Sequence, residues 1–209
     1  NRPDKFKFGT VGLPLSELKV KISNDGEILT TGPSVMCGYY KKERETQEVL
    51  KDGWLYTGDI GSLDQDGFLI ITDRKKDLIV TAGGKKVAPQ RLEMLLKSNP
   101  IFKNAIVVGD KKPFISGIVV PNAEMVTTYA KNNNVNFSTY SELVRSPIIQ
   151  KFLLGEVEQS TKELASFEKL KAIIVSERDF SLDLGEITPT LKVRRGVVEK
   201  KFRKEIEAI

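Results

Sequence analysis

Alternating apolar and polar residues run through the first third of the chain and predict two β-hairpins. The first spans Leu18 to Thr30 and turns at Ser23-Asn24-Asp25-Gly26, where Asn, Asp and Gly tolerate positive φ. The second pairs residues 59–63 with residues 68–72 around the turn Asp64-Gln65-Asp66-Gly67. This part of the chain is therefore expected to be rich in β-structure.

The pattern changes after the fully charged run Asp73-Arg74-Lys75-Lys76-Asp77. Beyond it, short apolar runs and amphipathic segments alternate in the manner of a βαβ unit. A charged, non-periodic segment between two such parts is a natural domain boundary or hinge. The predicted strands of the second part are 78–80, 105–109, 115–120 and 172–176. A helix is predicted at 43–51, ended by Asp52-Gly53, and a second from Pro89, with Leu92, Leu95 and Leu96 on one face. Two or three helices are predicted within 122–166, broken at 132–134. The last predicted helix is amphipathic and spans 195–209, with Val198, Phe202, Ile206 and Ile209 on one stripe.

Composition is that of a globular chain. The 209 residues are 40% hydrophobic and 29% charged, which suits one large domain or two small ones. No apolar run approaches the roughly 18 residues that a membrane-spanning helix needs. The start lacks both Met and the apolar stretch of a signal peptide, so we expect a piece of a longer protein. Because Cys37 is the only cysteine, no intrachain disulfide can form, and a reducing cytoplasm is the expected location.

The chain contains no histidine. Ser-His-Asp and Cys-His catalytic groups, histidine-ligated zinc and histidine general bases are therefore excluded within it. Any chemistry must use carboxylates, lysine, arginine, hydroxyls or backbone groups. The net charge of +5 and a pI of about 9.1 suit anionic partners such as nucleotides, CoA or lipid headgroups, although an ordinary lysine-rich surface gives the same values.

The segment Thr57-Gly58-Asp59 is a candidate nucleotide site. An Asp held at a strand has two acceptor oxygens and no donor, as is needed to accept both hydroxyls of a ribose. Arg74 follows one hairpin later, so it is predicted to lie on the adjacent strand beside Asp59. Each residue also has a plain structural interpretation, because Asp59 can open an Asx-turn and Arg74 can belong to a solvated linker.

Two loops in the second part carry further candidate groups. Gly83 and Gly84, followed by Lys85, let backbone approach a ligand closely, although a simple strand-to-helix connection explains them equally well. The loop lacks the spacing of a phosphate-binding P-loop. Lys192 ends the segment Gly185-Glu186-Ile187-Thr188-Pro189-Thr190-Leu191, whose proline-ordered backbone can present an amine to a phosphoryl group. Alternatively, Lys192 is one surface lysine among many.

The order and joint presence of these motifs resemble the adenylate-forming superfamily, which includes acyl-CoA synthetases, luciferases and the adenylation domains of peptide synthetases. The resemblance is carried by Gly26-Glu27-Ile28, Gly38-Tyr39-Tyr40, residues 54–59, Asp66-Gly67-Phe68, residues 73–77 and the glycine loop. The sequences at 81–90 and 185–192 are similar to those of the long-chain fatty acyl-CoA synthetases in particular. Other branches usually have Gly at the position of Leu191.

The resemblance implies that this chain is the C-terminal part of an ATP-dependent long-chain fatty acid–CoA ligase. In this family a carboxylate attacks the α-phosphorus of ATP, and CoA then displaces AMP from the acyl-adenylate. The implied roles are ribose binding by Asp59 with Arg74, Thr57 and Gly58, catalysis of adenylate formation by Lys192, a pivot at Lys76 with Lys75 and Asp77 beside it, and a CoA-channel loop of Gly83, Gly84 and Lys85. Glu93 matches an acidic position for which we expect a structural role.

The implied fold is α+β, in three segments. Residues 1–73 would be a β-hairpin-rich remnant of the large domain's β-subdomain, residues 74–77 a hinge, and residues 78–209 a small α/β C-terminal lid domain. The implied substrates and cofactors are a long-chain fatty acid, ATP with Mg²⁺, and CoA. The phosphate loop, the Mg²⁺ ligand and the acyl tunnel would lie upstream of Asn1, so no metal ligand is expected here and the chain alone is expected to be inactive.

Two alternatives stay open. An enzyme of the same superfamily can use a carrier protein or oxygen as the acceptor instead of CoA. A non-catalytic basic module is the other, because residues 192–204 are dense in Lys and Arg. Phe202 is the only aromatic residue of that stretch, so nucleic-acid binding is not expected. Peripheral membrane contact of a cytoplasmic parent enzyme is compatible with the main interpretation.

Overall fold

The computed structural model describes all residues from Asn1 to Ile209 and divides them into two compact units, Asn1–Leu78 and Ile79–Ile209. The division falls one residue after the predicted hinge, residues 74–77. Both units mix helices and strands, which agrees with the expected α+β class. No sheet is shared between the two units.

The first unit is built on a five-stranded sheet. Its elements are β1 (Lys19–Ile22), β2 (Glu27–Thr31), α1 (Glu43–Val49), β3 (Leu50–Lys51), β4 (Trp54–Leu63) and β5 (Leu69–Arg74), followed by a short 3₁₀ turn at Lys75–Asp77. The strands run in the order β1-β2-β4-β3, and β5 also pairs with β4. All of these pairs are antiparallel. Because β4 pairs with β2, β3 and β5, it is the strand whose position is most constrained.

The two hairpins predicted for this unit are confirmed. Strands β1 and β2 place Ile22 opposite Ile28, and Gly26 in their turn has a φ of 87°. Between β4 and β5, the Asp64 carboxylate accepts the backbone N–H groups of Asp66 and Phe68, each at 2.9 Å. This Asx-type arrangement holds the turn closed, as an Asp at the first turn position does.

The predicted helix at 43–51 is wrong at its end. The helix stops at Val49, and Leu50 and Lys51 form β3, opposite Leu55 and Trp54. The intervening Asp52 and Gly53 have φ values of 52° and 76°. Two consecutive positive φ angles are what a two-residue type I′ hairpin requires, and Asp-Gly is a preferred sequence for it. The dipeptide therefore joins two strands rather than capping the helix.

The second unit contains a three-stranded sheet and a separate two-stranded ribbon. Its strands are β6 (Ile79–Val80), β7 (Lys86–Val87), β8 (Phe102–Val108), β9 (Ser116–Pro121) and β10 (Ala172–Val175), and its helices are α2 (Pro89–Ser98), α3 (Ala123–Asn132), α4 (Tyr140–Arg145), α5 (Pro147–Ser160), α6 (Arg195–Lys201) and α7 (Arg203–Ala208). Strands β8 and β9 form an antiparallel pair, whereas β9 and β10 are parallel. The chain between β9 and β10 passes through α3, α4 and α5, as a parallel connection requires. All of the strands and helices predicted beyond residue 78 are present, with shifted ends.

The three-stranded sheet is buried on both faces. Successive residues of β8 belong to different apolar clusters, with Val107 in one and Ile106 in the other. The first cluster is completed by side chains of α2 to α5, among them Leu92, Leu96, Val126, Leu143, Leu153 and Val157. The second contains Phe180, Val198 and Phe202 from the C-terminal part of the chain. Covering on both faces explains why β8 and β9 are apolar almost throughout instead of alternating.

The C-terminal helix predicted at 195–209 is interrupted at Phe202. This residue has φ −94° and ψ 21°, and it separates α6 from α7. Backbone bonds from Phe202 to Val198 and from Ile206 to Phe202 nevertheless continue with helical spacing. Val198 and Phe202 are buried and Ile206 packs against them, but Ile209 is 39% exposed. The predicted apolar stripe is therefore correct except at Ile209, where the chain has passed the edge of the core. None of the helices of residues 1–209 combines the length and apolarity of a membrane-crossing segment.

Candidate functional site

The register of β4 and β5 brings the two predicted nucleotide-binding side chains together. Asp59 lies opposite Arg74, and the Arg74 Nε atom is 3.2 Å from Asp59 Oδ1. The Asp59 side chain is 29% exposed and that of Arg74 is 57% exposed. The prediction that Arg74 lies beside Asp59 is thus confirmed. The pair is open to solvent, and a carboxylate so placed can accept hydrogen bonds from ligand hydroxyls.

Thr57 and Gly58 set the backbone that leads into Asp59. The Thr57 hydroxyl donates to the carbonyl of Ile28 at 2.7 Å and accepts the Asp59 N–H at 3.1 Å. Gly58 has a φ of 73°, a conformation that costs a glycine little but most other residues about 1–2 kcal/mol. Both residues therefore orient Asp59 through the backbone, which is consistent with a positioning role in a nucleotide site.

Glu27 is the residue of this site that sequence analysis missed. Its side chain is 5% exposed, and its Oε1 atom accepts the Gly58 N–H at 2.9 Å. Its Oε2 atom lies 2.7 Å from Lys75 Nζ, which is also 2.7 Å from Asp25 Oδ2. Hydrogen bonds donated to Asp25 and Glu27 raise the pKa of Lys75, and the Lys75 amine and the Ser23 hydroxyl lower the pKa of Asp25. A Glu at the start of a strand that continues with buried Ile28 and Leu29 was the available clue.

The predicted hinge residues are in different situations. Lys75, Lys76 and Asp77 form the short 3₁₀ turn that follows β5. Lys75 is held by two carboxylates, as described above. Lys76 has an exposed side chain and belongs to none of the ion pairs of residues 1–209. Lys76 can therefore change its backbone conformation with a smaller loss of ion pairs than Lys75.

The glycine loop connects β6 to β7 as a tight turn. Thr81 donates its N–H to the Lys85 carbonyl at 3.0 Å, and its hydroxyl accepts the Lys85 N–H at 3.2 Å. Gly84 has a φ of 73°. A side chain at Gly83 or Gly84 would meet no atom of the chain within 4 Å, so the loop faces open space. Lys85 Nζ lies 5.6 Å from the centre of the Phe167 ring.

Lys192 lies on a small closed loop. Ile187 and Val193 form a β-bridge at its base, and the Thr188 N–H donates to the Lys192 carbonyl at 2.8 Å. The Thr188 hydroxyl accepts the Lys192 N–H at 3.1 Å. Leu191 has a φ of 60° with a 76% exposed side chain. This left-handed conformation explains why a glycine suits the position in other branches of the superfamily.

A buried carboxylate fastens the start of the Lys192 loop. The Glu186 side chain is 3% exposed and binds both terminal nitrogens of Arg178, at 2.8 and 2.9 Å. It also accepts the Ser181 N–H at 2.9 Å and lies 3.1 Å from Lys201 Nζ. The Arg178 guanidinium, with the Ser181 N–H and the Lys201 amine, lowers the pKa of Glu186 to about 2 although burial alone raises it. Sequence analysis noted this residue only as part of a motif.

A second, partly buried pair fastens the end of the loop. Arg195 Nη2 lies 2.6 Å from Glu93 Oε1, and the Arg195 guanidinium also donates to the Val107 carbonyl. Glu93 in turn accepts the Val107 N–H at 2.8 Å. Burial raises the pKa of Glu93 against the lowering effect of Arg195. Glu93 therefore links α2, β8 and α6, as the structural role expected for it requires.

The Lys192 side chain itself is exposed and free of ion pairs, on a backbone fixed at both ends. No group of three or more Asp, Glu, His or Cys side chains in residues 1–209 is arranged to hold a metal ion.

An acid–arginine pair on a β-rich unit, followed by a small α/β unit that presents one lysine on an anchored loop, is the combination expected of adenylate-forming enzymes. The sequence profile of the AMP-binding enzyme C-terminal domain matches residues 76–209. The chain therefore belongs to the AMP-binding enzyme family and contains its C-terminal domain.

Known relatives extend the comparison over almost the whole chain. The long-chain-fatty-acid–CoA ligase FadD15 of Mycobacterium tuberculosis is 41% identical over 205 residues, covering 98% of this chain and 34% of that protein. The human long-chain-fatty-acid–CoA ligase 6 is 36% identical over 222 residues, covering 99% and 32%. The chain thus spans about a third of the length of these relatives.

Solved structures show the same fold. The o-succinylbenzoate CoA synthetase MenE of Bacillus subtilis, in complex with AMP, matches with a TM-score of 0.62 and 27% identity, over 91% of this chain and 35% of that one. The adenylation domain of a carboxylate reductase from Mycobacterium chelonae matches with a TM-score of 0.73 and 21% identity, over 97% and 33%. The second likeness concerns the fold alone.

Proposed function

We propose that this chain is part of an AMP-forming long-chain fatty acid–CoA ligase, called the parent ligase below. One observation carries the proposal, namely 41% identity over 98% of the chain with a protein named as such a ligase. In the proposed reaction, a fatty carboxylate oxygen attacks the α-phosphorus of ATP, and pyrophosphate leaves. The CoA thiol then attacks the acyl carbon of the adenylate, loses its proton, and releases AMP.

Asp59 and Arg74 are proposed to hold the nucleoside. A carboxylate that is 29% exposed can accept both ribose hydroxyls, and the Arg74 guanidinium, 3.2 Å away, orients it. Thr57 and Gly58 place this carboxylate through the backbone contacts described above. Ribose contacts are equal in the substrate and in the transition state, so these residues contribute to affinity rather than to the chemical step.

Lys192 is proposed to act in adenylate formation. Its amine can stabilise the negative charge on the α-phosphate and the attacking carboxylate, which is the main catalytic requirement of in-line phosphoryl chemistry. The β-bridge and the ion pairs of Glu186 and Arg195 limit the loop's freedom, so the amine is delivered at small entropic cost. None of the roles assigned to these residues involves contact with the Mg²⁺ that accompanies ATP as a substrate.

Rotation about the hinge is proposed to separate the two half-reactions. Replacing Lys76 by Pro fixes its φ near −65° and restricts Lys75 as well. We expect Lys76→Pro to retain at most one half-reaction, whereas Lys76→Ala should retain both. Adenylate formation is measured as pyrophosphate release. Thioester formation is measured separately, with acyl-adenylate and CoA supplied to the enzyme. A Pro variant that performs both steps at wild-type rates would remove Lys76 from the pivot.

The glycine loop is proposed to line the channel that admits the CoA thiol. Gly84→Leu should therefore slow thioester formation by at least about tenfold and leave adenylate formation unchanged. Because Gly84 has a φ of 73°, its replacement also strains the backbone, so Gly84→Ala is the control for strain without bulk. Gly83→Leu adds the same bulk at a residue outside the left-handed region. Equal loss of both half-reactions in Gly83→Leu would contradict the channel assignment.

The proposed function is tested with the full-length protein, ATP, Mg²⁺, CoA and fatty acids of graded length. Formation of a CoA thioester with one AMP and one pyrophosphate per turnover is the expected result. Transfer of the acyl group only to a carrier protein would instead support the alternative acceptor. The 209-residue chain on its own is expected to show no turnover. A cytoplasmic location with peripheral membrane contact is part of the proposal, supported by the basic stretch at 192–204.

A further inference from the structure

The two oxygens of Glu27 contact both flanks of the Asp59–Arg74 pair. Oε1 accepts the N–H of Gly58, the residue before Asp59, at 2.9 Å. Oε2 binds the amine of Lys75, the residue after Arg74, at 2.7 Å. The Glu27 side chain is 5% exposed, whereas that of Lys75 is 46% exposed. One carboxylate thus joins β2, β4 at Gly58 and the 3₁₀ turn that follows β5.

We infer that Glu27 is a positioning residue for the nucleotide site, which sets the geometry of the Asp59 carboxylate and the Arg74 guanidinium through Gly58 and Lys75. The inference rests on the proposed ribose-binding role of Asp59. It adds a residue that touches no ligand group itself, because its own oxygens are occupied by the protein.

Two features of the backbone near Asp59 explain why Glu27 can set its position. Gly58 is in a left-handed conformation, and the Glu27 contact at its N–H restrains the peptide between Thr57 and Gly58, one residue before Asp59. The ladder between β4 and β5 shifts register between Ile60 and Gly61, next to the Asp59–Arg74 pairing. Regular strand pairing therefore fixes this end of the hairpin less firmly than an uninterrupted ladder would. The contacts of the Glu27 carboxylate with Gly58 and Lys75 restrain the two residues next to the Asp59–Arg74 pair.

The contacts of Lys75 with Glu27 and Asp25 also define where the hinge can begin. Lys75 is bound to Glu27 and Asp25 at 2.7 Å each, so rotation that included Lys75 would leave the Glu27 carboxylate buried without its partner. Lys76 has no such contact. Lys75 is accordingly assigned to the nucleotide-binding unit, and the moving segment starts at Lys76.

The test uses two variants of the parent ligase, Glu27→Gln and Lys75→Met. The first keeps an acceptor for Gly58 but removes the charge, and the second removes the amine from a side chain that is 46% exposed. The affinity for AMP is measured by titration calorimetry, without acyl substrate. Both variants should bind AMP about tenfold more weakly, and the KM for ATP should rise similarly with kcat for adenylate formation within about twofold of wild type.

Two controls separate this role from general stability. Lys7→Met also removes a lysine that bridges two carboxylates of the same unit, Asp64 and Asp66 at 2.6 and 3.0 Å, and should leave AMP affinity unchanged. Lys75→Arg should retain affinity, because a guanidinium can contact both Glu27 and Asp25. The double variant Glu27→Gln/Lys75→Met should bind AMP no more weakly than either single variant, since one contact is lost in each case.

Wild-type AMP affinity in Glu27→Gln and Lys75→Met would overturn the inference. So would a fall in kcat and in melting temperature with the AMP affinity and the KM for ATP unchanged, because that pattern reports a smaller folded fraction and not a misplaced carboxylate. The calorimetric result is independent of the acyl substrate. Loss of AMP affinity in the variants of a protein that forms no fatty acyl-CoA would therefore refute the proposed function and leave the role of Glu27 intact.

Discussion

Replacing Lys192 by Ala is expected to slow acyl-adenylate formation by the parent ligase by about 10²–10³-fold, the usual cost of removing one charge-stabilising group. Thioester formation from supplied acyl-adenylate should stay near the wild-type rate. The reason is that the amine meets charge that develops only during attack on the α-phosphorus. The two half-reactions are measured separately, by pyrophosphate release and by CoA thioester formation.

The matched control for this variant is Lys200→Ala. Lys200 is another exposed lysine of the same unit, on α6, and its loss should leave both half-reactions unchanged. Equal losses in both half-reactions of Lys192→Ala would contradict the assigned role. Lys192→Arg retains the charge on a longer, planar group and should recover only part of the rate, because the position of the point charge matters.

Replacing Glu186 by Ala is expected to destabilise the second unit by about 1–3 kcal/mol, the cost of removing a buried hydrogen-bond acceptor from its partners. The carboxylate is 3% exposed, and its loss leaves the Ser181 N–H without its acceptor and removes the partner of Arg178, whose side chain is 42% exposed. Urea unfolding of the 209-residue chain, followed by circular dichroism, measures the change. Hydrogen exchange should show the largest loss of protection around the Lys192 loop.

Glu177→Ala is the comparison for this variant. Glu177 also pairs with an arginine, Arg145 at 2.6 Å, but the side chains are 41% and 74% exposed. A pair in water contributes less than about 1 kcal/mol. If both variants lost the same stability, the Glu186 cluster would not be the anchor of the loop.

The Glu186 cluster also predicts a dependence of stability on pH. The pKa of Glu186 in the folded chain is about 2, below the model-compound value of 4.5. A lowered folded-state pKa contributes stability that is complete above the unfolded pKa and is lost as pH falls toward the folded one. The shift corresponds to about 3 kcal/mol. The free energy of unfolding should therefore fall between about pH 5 and pH 2, and less steeply in Glu186→Gln.

Local chemistry was sufficient to predict much of the fold. The hairpin of β4 and β5 follows from alternation on either side of an Asp-x-Asp-Gly turn, and its register placed Arg74 beside Asp59 as expected. The helix α2 follows from Pro89 and the spacing of Leu92 and Leu96. In these cases the residues that determine the structure lie within one hairpin or one helix of each other.

Prediction from the local sequence failed where a segment is compatible with two structures. Asp52-Gly53 can end a helix or turn a hairpin, and the pairing of Leu50 with Leu55 decided for the hairpin. The C-terminal segment could form one helix by its pattern, but its backbone departs from helical geometry at Phe202, where the ring is buried in the sheet's second cluster. In both places contacts with other elements outweighed the propensity of the segment.

The sequence by itself determined the two-part organisation, the main secondary structure elements and the candidate groups Asp59, Arg74 and Lys192. Only the tertiary structure identified what holds them, namely the contacts of Glu27 with Gly58 and Lys75, and those of Glu186 with Arg178 and Lys201. The physical reason is that a buried carboxylate is stable only with its full set of partners. The contact between Glu27 and Gly58 joins residues distant in sequence, and no local pattern of charges distinguishes such an acid from one on the surface.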